Sequence, residues 1–121
     1  VTPQQKIYYS GDSGYGPHFK AIGEQFGAVD LAIMENGQYD QDWKYIHMMP
    51  EETAQAADDV RARAVLPGHA GRFVLAKHTW DDPYIRLAEA STGRPWRLLT
   101  PMLGEPVWVA DKTQSFNAWW R

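Results

Sequence analysis

Two residues with metal-binding side chains directly follow predicted strands, at the point where each strand ends. Asp12 comes after the strand-like segment 6–10, and His69 comes after the segment 64–67. In open α/β sheets, functional sites gather beyond the carboxyl ends of the strands. A carboxylate oxygen and an imidazole nitrogen can both ligate one divalent cation. The positions therefore favour a shared metal site, with a simple turn at Asp12 and a loop role for His69 as the structural alternatives.

Two further histidines and two tyrosines are weaker candidates. His47 and His78 each stand just ahead of a predicted helix, where packing or capping explains them as well as a site does. Tyr15 and Tyr39 are explained first by packing, and second by the lining of a substrate pocket. The chain has no nucleophile-plus-base pattern and no glycine-rich phosphate loop, so covalent catalysis and nucleotide binding are not indicated.

The elements that must position these residues alternate along the chain. Short apolar or aromatic segments predict strands at 6–10, 29–34, 64–67, 97–99 and 107–109. Helices are predicted at 17–26, 50–63 and 83–90. Each begins at a proline, a residue that the first helical turn tolerates. Strand–helix alternation predicts an α/β layer. Because no linker or repeat interrupts the pattern, residues 1–121 are expected to form a single domain.

Composition excludes several classes of function. The chain has 121 residues, 44% of them apolar, which is enough for one core. Without cysteine it has neither disulfides nor a thiolate nucleophile. A net charge of −3 without clustered Lys and Arg argues against nucleic-acid binding. Apolar runs are too short for a membrane span and no signal peptide is evident, so a cytoplasmic location is expected.

Four ordered blocks resemble one known superfamily. The segment YSGDSGY at 9–15 resembles the Gly-Asp-Thr-Gly-Tyr segment of metallo-β-lactamase-fold hydrolases, and blocks at 26–32, 47–53 and 69–83 agree in the same order. The chain is most similar to the group that holds N-acyl-phosphatidylethanolamine-hydrolysing phospholipase D and ascorbate-6-phosphate lactonase. The resemblance covers about residues 6–109. It implies the C-terminal half of a four-layer αββα fold, that is, an α/β sheet with flanking helices.

The resemblance also implies roles for the candidate residues. Asp12 matches the carboxylate that bridges two metal ions, and His69 matches the last histidine ligand. His47 and His78 then lie near the metals as catalytic, substrate-orienting groups. The implied cofactor is a pair of zinc ions in the intact parent, with manganese or iron as alternatives. Such a pair activates water and stabilises a developing oxyanion.

A substrate-binding set follows from the same resemblance. Tyr15, Tyr39 and Arg72 are expected to contact a small-molecule or lipid-like ester, lactone or phosphodiester substrate. Arg72 stands where the family usually has threonine, in Gly-Arg-Phe instead of Gly-Thr-Phe, which predicts a different substrate preference.

One family motif is missing from the chain. His-x-His-x-Asp-His, which supplies most metal ligands, does not occur in this sequence. Two retained ligands are fewer than the three of a catalytic zinc, so the chain is predicted to be the C-terminal half and inactive alone. One alternative is a non-catalytic association module that homodimerises through an exposed sheet face, or receives a missing N-terminal half there. Another is a complete metal site of Asp12, His47, His69 and His78.

Overall fold

A computed structural model describes residues 1–121 and contains one four-stranded sheet with three helices. All strand pairs are parallel, and the strands lie side by side in chain order. The strands are β1 (Ile7–Tyr9), β2 (Leu31–Glu35), β3 (Ala64–Gly68) and β4 (Arg97–Leu98). The helices are α1 (His18–Phe26), α2 (Pro50–Asp59) and α3 (Asp82–Ala90), and a 3₁₀ turn spans Gln41–Trp43. The α/β expectation is confirmed.

The main core lies between the sheet and the helices. Ala32, Met34 and Val65 project from β2 and β3 into a cluster that also takes Phe19 of α1 and Leu87 of α3, all fully buried. The buried face of α2 is made largely of alanines. Small side chains let this helix approach the neighbouring backbone closely, and so bring its N-terminal turn near the end of β2.

The opposite face of the sheet is covered by the chain that follows β4. Leu31, Ala64 and Leu99 are buried there beneath Val107 and Phe116. A strand was predicted at 107–109 and this prediction is wrong, because the segment crosses the sheet face and joins no strand.

Side-chain hydrogen bonds replace the expected strand ladder in this segment. The Trp108 N–H donates to Oε1 of Gln114 at 2.8 Å, and Nε2 of Gln114 donates to the Pro106 carbonyl at 2.8 Å. The hydrophobic pattern of 107–109 therefore reflects burial against the sheet, since the same alternation suits a strand and a covering segment.

One helix boundary also differs from expectation. The helix predicted to end at residue 63 ends at Asp59, because Arg61 adopts a left-handed φ of 57° and Ala62 pairs with Val29 in a β-bridge. Phe26, the last residue of α1, is half exposed. No helix has the length and apolar character needed to cross a bilayer.

Candidate metal centre

Side chains that follow three neighbouring strands meet at one edge of the sheet. Asp12 follows β1, Glu35 ends β2, His69 follows β3, and His47 arrives from the segment between β2 and α2. One ligand atom from each lies within 4.8 Å of the ligand atoms of the other three. Nε2 of His69 lies 4.0 Å from Oδ1 of Asp12. Parallel pairing places the carboxyl ends of β1, β2 and β3 together, which explains the convergence.

Two glycines allow the loops of this edge to approach one another. A Cβ on Gly14 would overlap the backbone of Lys44 and Tyr45, and the Gly14 N–H donates to the Tyr45 carbonyl at 3.1 Å. A Cβ on Gly37 would overlap the carbonyl oxygen of His69. Only glycine fits at such close backbone contacts, so these positions bring the Asp12 turn and the His69 loop onto the segment after β2.

Glu35 is the member of the group that sequence reasoning missed. The strand predicted at 29–34 stops short of it, whereas Glu35 is the last residue of β2 and only 2% exposed. Its main-chain N–H donates to Oγ of Ser10 at 2.9 Å, and its carbonyl accepts from Oγ1 of Thr53 at 2.8 Å. A charged residue that closes an otherwise apolar strand was the signal available in the sequence.

The Glu35 carboxylate has two polar partners. Oε2 accepts a hydrogen bond from the Ser13 N–H at 2.7 Å, and Oε1 is in short contact with Nδ1 of His47. Burial raises the pKa of Glu35 to about 8, against the lowering effect of the Ser13 N–H. The charge of Asp12 raises this pKa further, while His69 lowers it. The carboxyl group is therefore held where its negative charge is poorly solvated.

The donor set fits a divalent cation. Two carboxylates have ligand atoms within 4.8 Å of each other, and neither is paired with a Lys or Arg, so imidazoles are the only basic side chains paired with them. A cation would supply the missing positive charge, and carboxylate oxygen with imidazole nitrogen suits zinc, manganese and iron alike. Asp12 and His69 are 65% and 39% exposed, while Glu35 and His47 form the buried wall, so the centre is open on one side.

The two metal-ligand candidates and His47 are brought together, whereas His78 lies elsewhere. His69 has a left-handed φ of 60°, and its ring stacks against that of His47 at 5.2 Å between centroids. His78 stacks on Tyr39 at 4.1 Å, and its Nδ1 donates to the Thr79 carbonyl at 2.7 Å. The structure thus places Glu35, and not His78, with Asp12, His47 and His69.

The predicted substrate-binding residues occupy three different surroundings. The Tyr15 hydroxyl donates to Oδ2 of Asp59 at 2.6 Å, and this hydrogen bond is the main cause that raises its pKa to about 12. Tyr39 is buried with its hydroxyl bonded to Asp82, and burial raises the pKa of this phenol. Arg72 lines a surface cleft.

That cleft, of about 730 Å³, runs beside the candidate centre. Gly68 and Ala70, the sequence neighbours of His69, form part of its wall. Its apolar lining includes Leu66, Val107 and Trp119. The cleft has the size and mixed lining typical of a small-molecule site.

The fold and the centre define a class of protein: a parallel α/β sheet with flanking helices and a cluster of metal-binding side chains beyond its strand ends. A sequence model of the beta-lactamase superfamily domain matches residues 1–70. The chain belongs to this superfamily, and the expected family is confirmed. A solved structure, the metallo-beta-lactamase fold protein YhfI from Bacillus subtilis, aligns with a TM-score of 0.57 and 27% identity over 78% of this chain and 36% of that one.

Curated relatives agree with this assignment. A Klebsiella pneumoniae protein named outer membrane protein RomA is 93% identical over 72 residues, 60% of this chain and 54% of its own. The N-acyl-phosphatidylethanolamine-hydrolyzing phospholipase D 1 of Caenorhabditis elegans is 36% identical over 119 residues, 92% of this chain and 33% of its own. A Pyrobaculum aerophilum protein named as a metal-dependent hydrolase is 30% identical over 94 residues, 78% of this chain and 39% of its own. The chain thus spans between a third and about half of these relatives.

Proposed function

We propose that this chain provides the C-terminal half of a metal-dependent hydrolase domain, including part of its metal centre. The observation that carries the proposal is the convergence of Asp12, Glu35, His47 and His69 within 4.8 Å at the ends of three strands. Membership of a superfamily with relatives named as metal-dependent hydrolases supports it.

Within this proposal, Asp12 and His69 are metal ligands and His47 orients substrate or water beside them. When bound, a divalent cation polarises an ester or phosphoryl oxygen and makes a water more acidic. His47 stacks on His69, and its side chain is only 11% exposed. Its ring nitrogen can therefore act as a proton acceptor close to the reacting groups. Zinc as the metal, a catalytic role for His78 and a cytoplasmic location stay predictions.

The cleft suggests where a substrate lies. Arg72 supplies positive charge on one part of its wall, while Leu66 and Trp119 supply apolar surface. An ester with an anionic or phosphoryl group and an apolar portion fits this mixture, in keeping with the relative named as a phospholipase D. Tyr15 and Tyr39 have their hydroxyls bonded to Asp59 and Asp82 and do not line the cleft, so their contact with a substrate stays a prediction.

Metal binding by the 121-residue chain tests the proposal. Calorimetric titration with Zn²⁺ and with Mn²⁺ is expected to show binding of one cation per chain. Asp12→Asn and His69→Gln each remove a direct ligand and are expected to weaken affinity by at least about 100-fold. Asp42→Asn removes an exposed carboxylate outside the group and serves as the matched control. Absence of binding, or equal affinity in all three variants, contradicts the proposal.

Catalysis is expected to be absent from this chain alone, because the His-x-His-x-Asp-His motif of the family does not occur in it. The assay is hydrolysis of lactone, phosphodiester and ester substrates with added Zn²⁺ or Mn²⁺. Turnover that disappears in Asp12→Ala would show that the chain carries a sufficient active site.

A second candidate function is a non-catalytic association module. Ile7 and Tyr9 project from β1 on the sheet face opposite the helices and are 49% and 70% exposed. Uncovered apolar side chains at the edge of a sheet face favour contact with a second copy of the chain. The C-terminal segment already covers the middle of this face, which leaves β1 as the remaining surface.

A further inference from the structure

The Glu35 carboxylate connects two parts of the candidate centre that are far apart in sequence. One oxygen accepts a hydrogen bond at 2.7 Å from the N–H of Ser13, which is the residue after Asp12. The other oxygen contacts Nδ1 of His47. The side chain of Glu35 is 1% exposed, so water does not compete for either oxygen.

We propose that Glu35 is a positioning residue that fixes the turn carrying Asp12 and the ring tautomer of His47 through one carboxylate. A backbone N–H can only donate, so Oε2 is committed to Ser13 as an acceptor. On the alkaline side of the carboxyl pKa both oxygens can only accept, so Nδ1 of His47 must donate to Oε1. The neutral His47 ring then carries its proton on Nδ1 and its lone pair on Nε2.

The consequence rests on the proposed function. With its lone pair on Nε2, His47 can bind a cation or accept a proton from water, which the opposite tautomer cannot do through that atom. Histidines at metal centres are commonly oriented by a carboxylate bonded to the other ring nitrogen, and loss of that partner typically costs about 10–100-fold in metal affinity. Glu35 would therefore supply orientation to His47 and to the Asp12 turn together.

The substitution Glu35→Gln makes the tautomer testable. A glutamine side chain of the same shape has one oxygen and one NH₂ group. The Ser13 N–H requires the oxygen, which leaves the NH₂ group facing Nδ1 of His47. Nδ1 must then accept, and the ring proton moves to Nε2. Glu35→Gln is thus expected to invert the His47 tautomer without a change in side-chain volume.

Long-range ¹H–¹⁵N NMR of the metal-free, ¹⁵N-labelled chain reads the tautomer directly, on the alkaline plateau where the rings are neutral. His47→Gln assigns the resonance. We expect the Nδ1–H form in the unsubstituted chain and the Nε2–H form in Glu35→Gln. Glu52→Gln is the matched control, because Glu52 also accepts a backbone N–H, from Met49 at 2.9 Å, but lies outside the group. It is expected to leave the tautomer unchanged.

The outcomes separate this inference from the proposed function. An Nε2–H form in the unsubstituted chain overturns the inference, even where Glu35→Gln fails to fold. An unchanged tautomer in folded Glu35→Gln also overturns it. Calorimetry with Zn²⁺ is expected to show a loss of about 10–100-fold in Glu35→Gln and none in Glu52→Gln. If NMR shows the expected tautomers but calorimetry shows no cation binding, the metal centre is refuted and the positioning role of Glu35 stands.

Discussion

At the scale of single residues, the centre depends on glycines that no larger residue can replace as much as on the residues with metal-binding side chains. Gly37 lies against the carbonyl oxygen of His69, and Gly14 lies against the backbone of Lys44. Both contacts join the segment that carries His47 to a neighbouring loop. Chemistry-bearing residues such as Asp12 and His69 can be found by type and position, but their distance is set by these glycines.

Gly37→Ala is predicted to destabilise the chain and weaken metal binding together. The added Cβ would overlap the His69 carbonyl, so the loop must move, at a cost of about 1–3 kcal/mol. Urea unfolding followed by circular dichroism measures the free energy of unfolding, and calorimetry with Zn²⁺ measures affinity. Gly16→Ala is the control, because its Cβ meets only the movable side chain of His18. Wild-type stability and affinity in Gly37→Ala would refute the packing role.

At the scale of elements, the strands are joined at both ends by side chains. At the carboxyl ends, Glu35 contacts the turn after β1 and the first turn of α2. At the opposite ends, Asp30 accepts from the Lys6 N–H at 2.9 Å and from Arg63 at 2.7 Å, which connects the starts of β1, β2 and β3. These contacts fix the parallel register that brings the strand ends into line.

Stability is predicted to fall in acid partly through Asp30. The Lys6 N–H first, and then Arg63, lower the pKa of Asp30, although desolvation opposes them. Because the pKa is lower in the folded state, the ionised carboxylate stabilises the protein at pH values above the pKa of Asp in the unfolded chain, about 3.9. This stabilisation is lost as the pH falls through the pKa of Asp30 in the folded state. Because the pair is partly exposed, about 0.5–1 kcal/mol is expected.

The comparison of wild type with Asp30→Asn isolates this contribution. Urea unfolding is expected to show a gap in the free energy of unfolding at pH 6 that narrows below about pH 3.9, where the unfolded wild type takes up a proton on Asp30 before the folded wild type does. Glu24→Gln changes an exposed residue on α1. Its free energy of unfolding is expected to differ little from that of wild type, and the difference is not expected to narrow in acid in the same way. A gap for Asp30→Asn that is constant from pH 6 to pH 3 would contradict the prediction.

At the scale of the whole molecule, the two faces of the sheet are covered differently. Helices cover one face, with Ala32, Met34 and Val65 buried beneath them. The segment after β4 covers the middle of the other face, and the side chains of β1 stay exposed beside it. The candidate centre lies at the edge of the sheet formed by the carboxyl ends of the strands, next to the cleft of about 730 Å³.

The association alternative predicts a dimer through the exposed side chains of β1. Light scattering after size exclusion, at high micromolar concentration, is expected to give about twice the chain mass of 13.8 kDa. Tyr9→Glu places a charge on the exposed face and is expected to return the mass to that of one chain. Tyr45→Glu, at an exposed loop position, is the control. A single-chain mass for the unsubstituted protein would end this alternative.

The sequence by itself determined the α/β class and the strands that hold Asp12 and His69 at their ends, because strand and helix periodicity and turn residues are local signals. The superfamily followed from the resemblance of four ordered sequence blocks. Tertiary structure alone decided that Glu35 joins the centre, that His78 lies on Tyr39 instead, and that residues 107–109 cross the sheet face. These outcomes depend on contacts between residues distant along the chain, for which local propensity carries no information. The buried carboxylate became visible as a functional group only when its partners, Ser13 and His47, were placed around it.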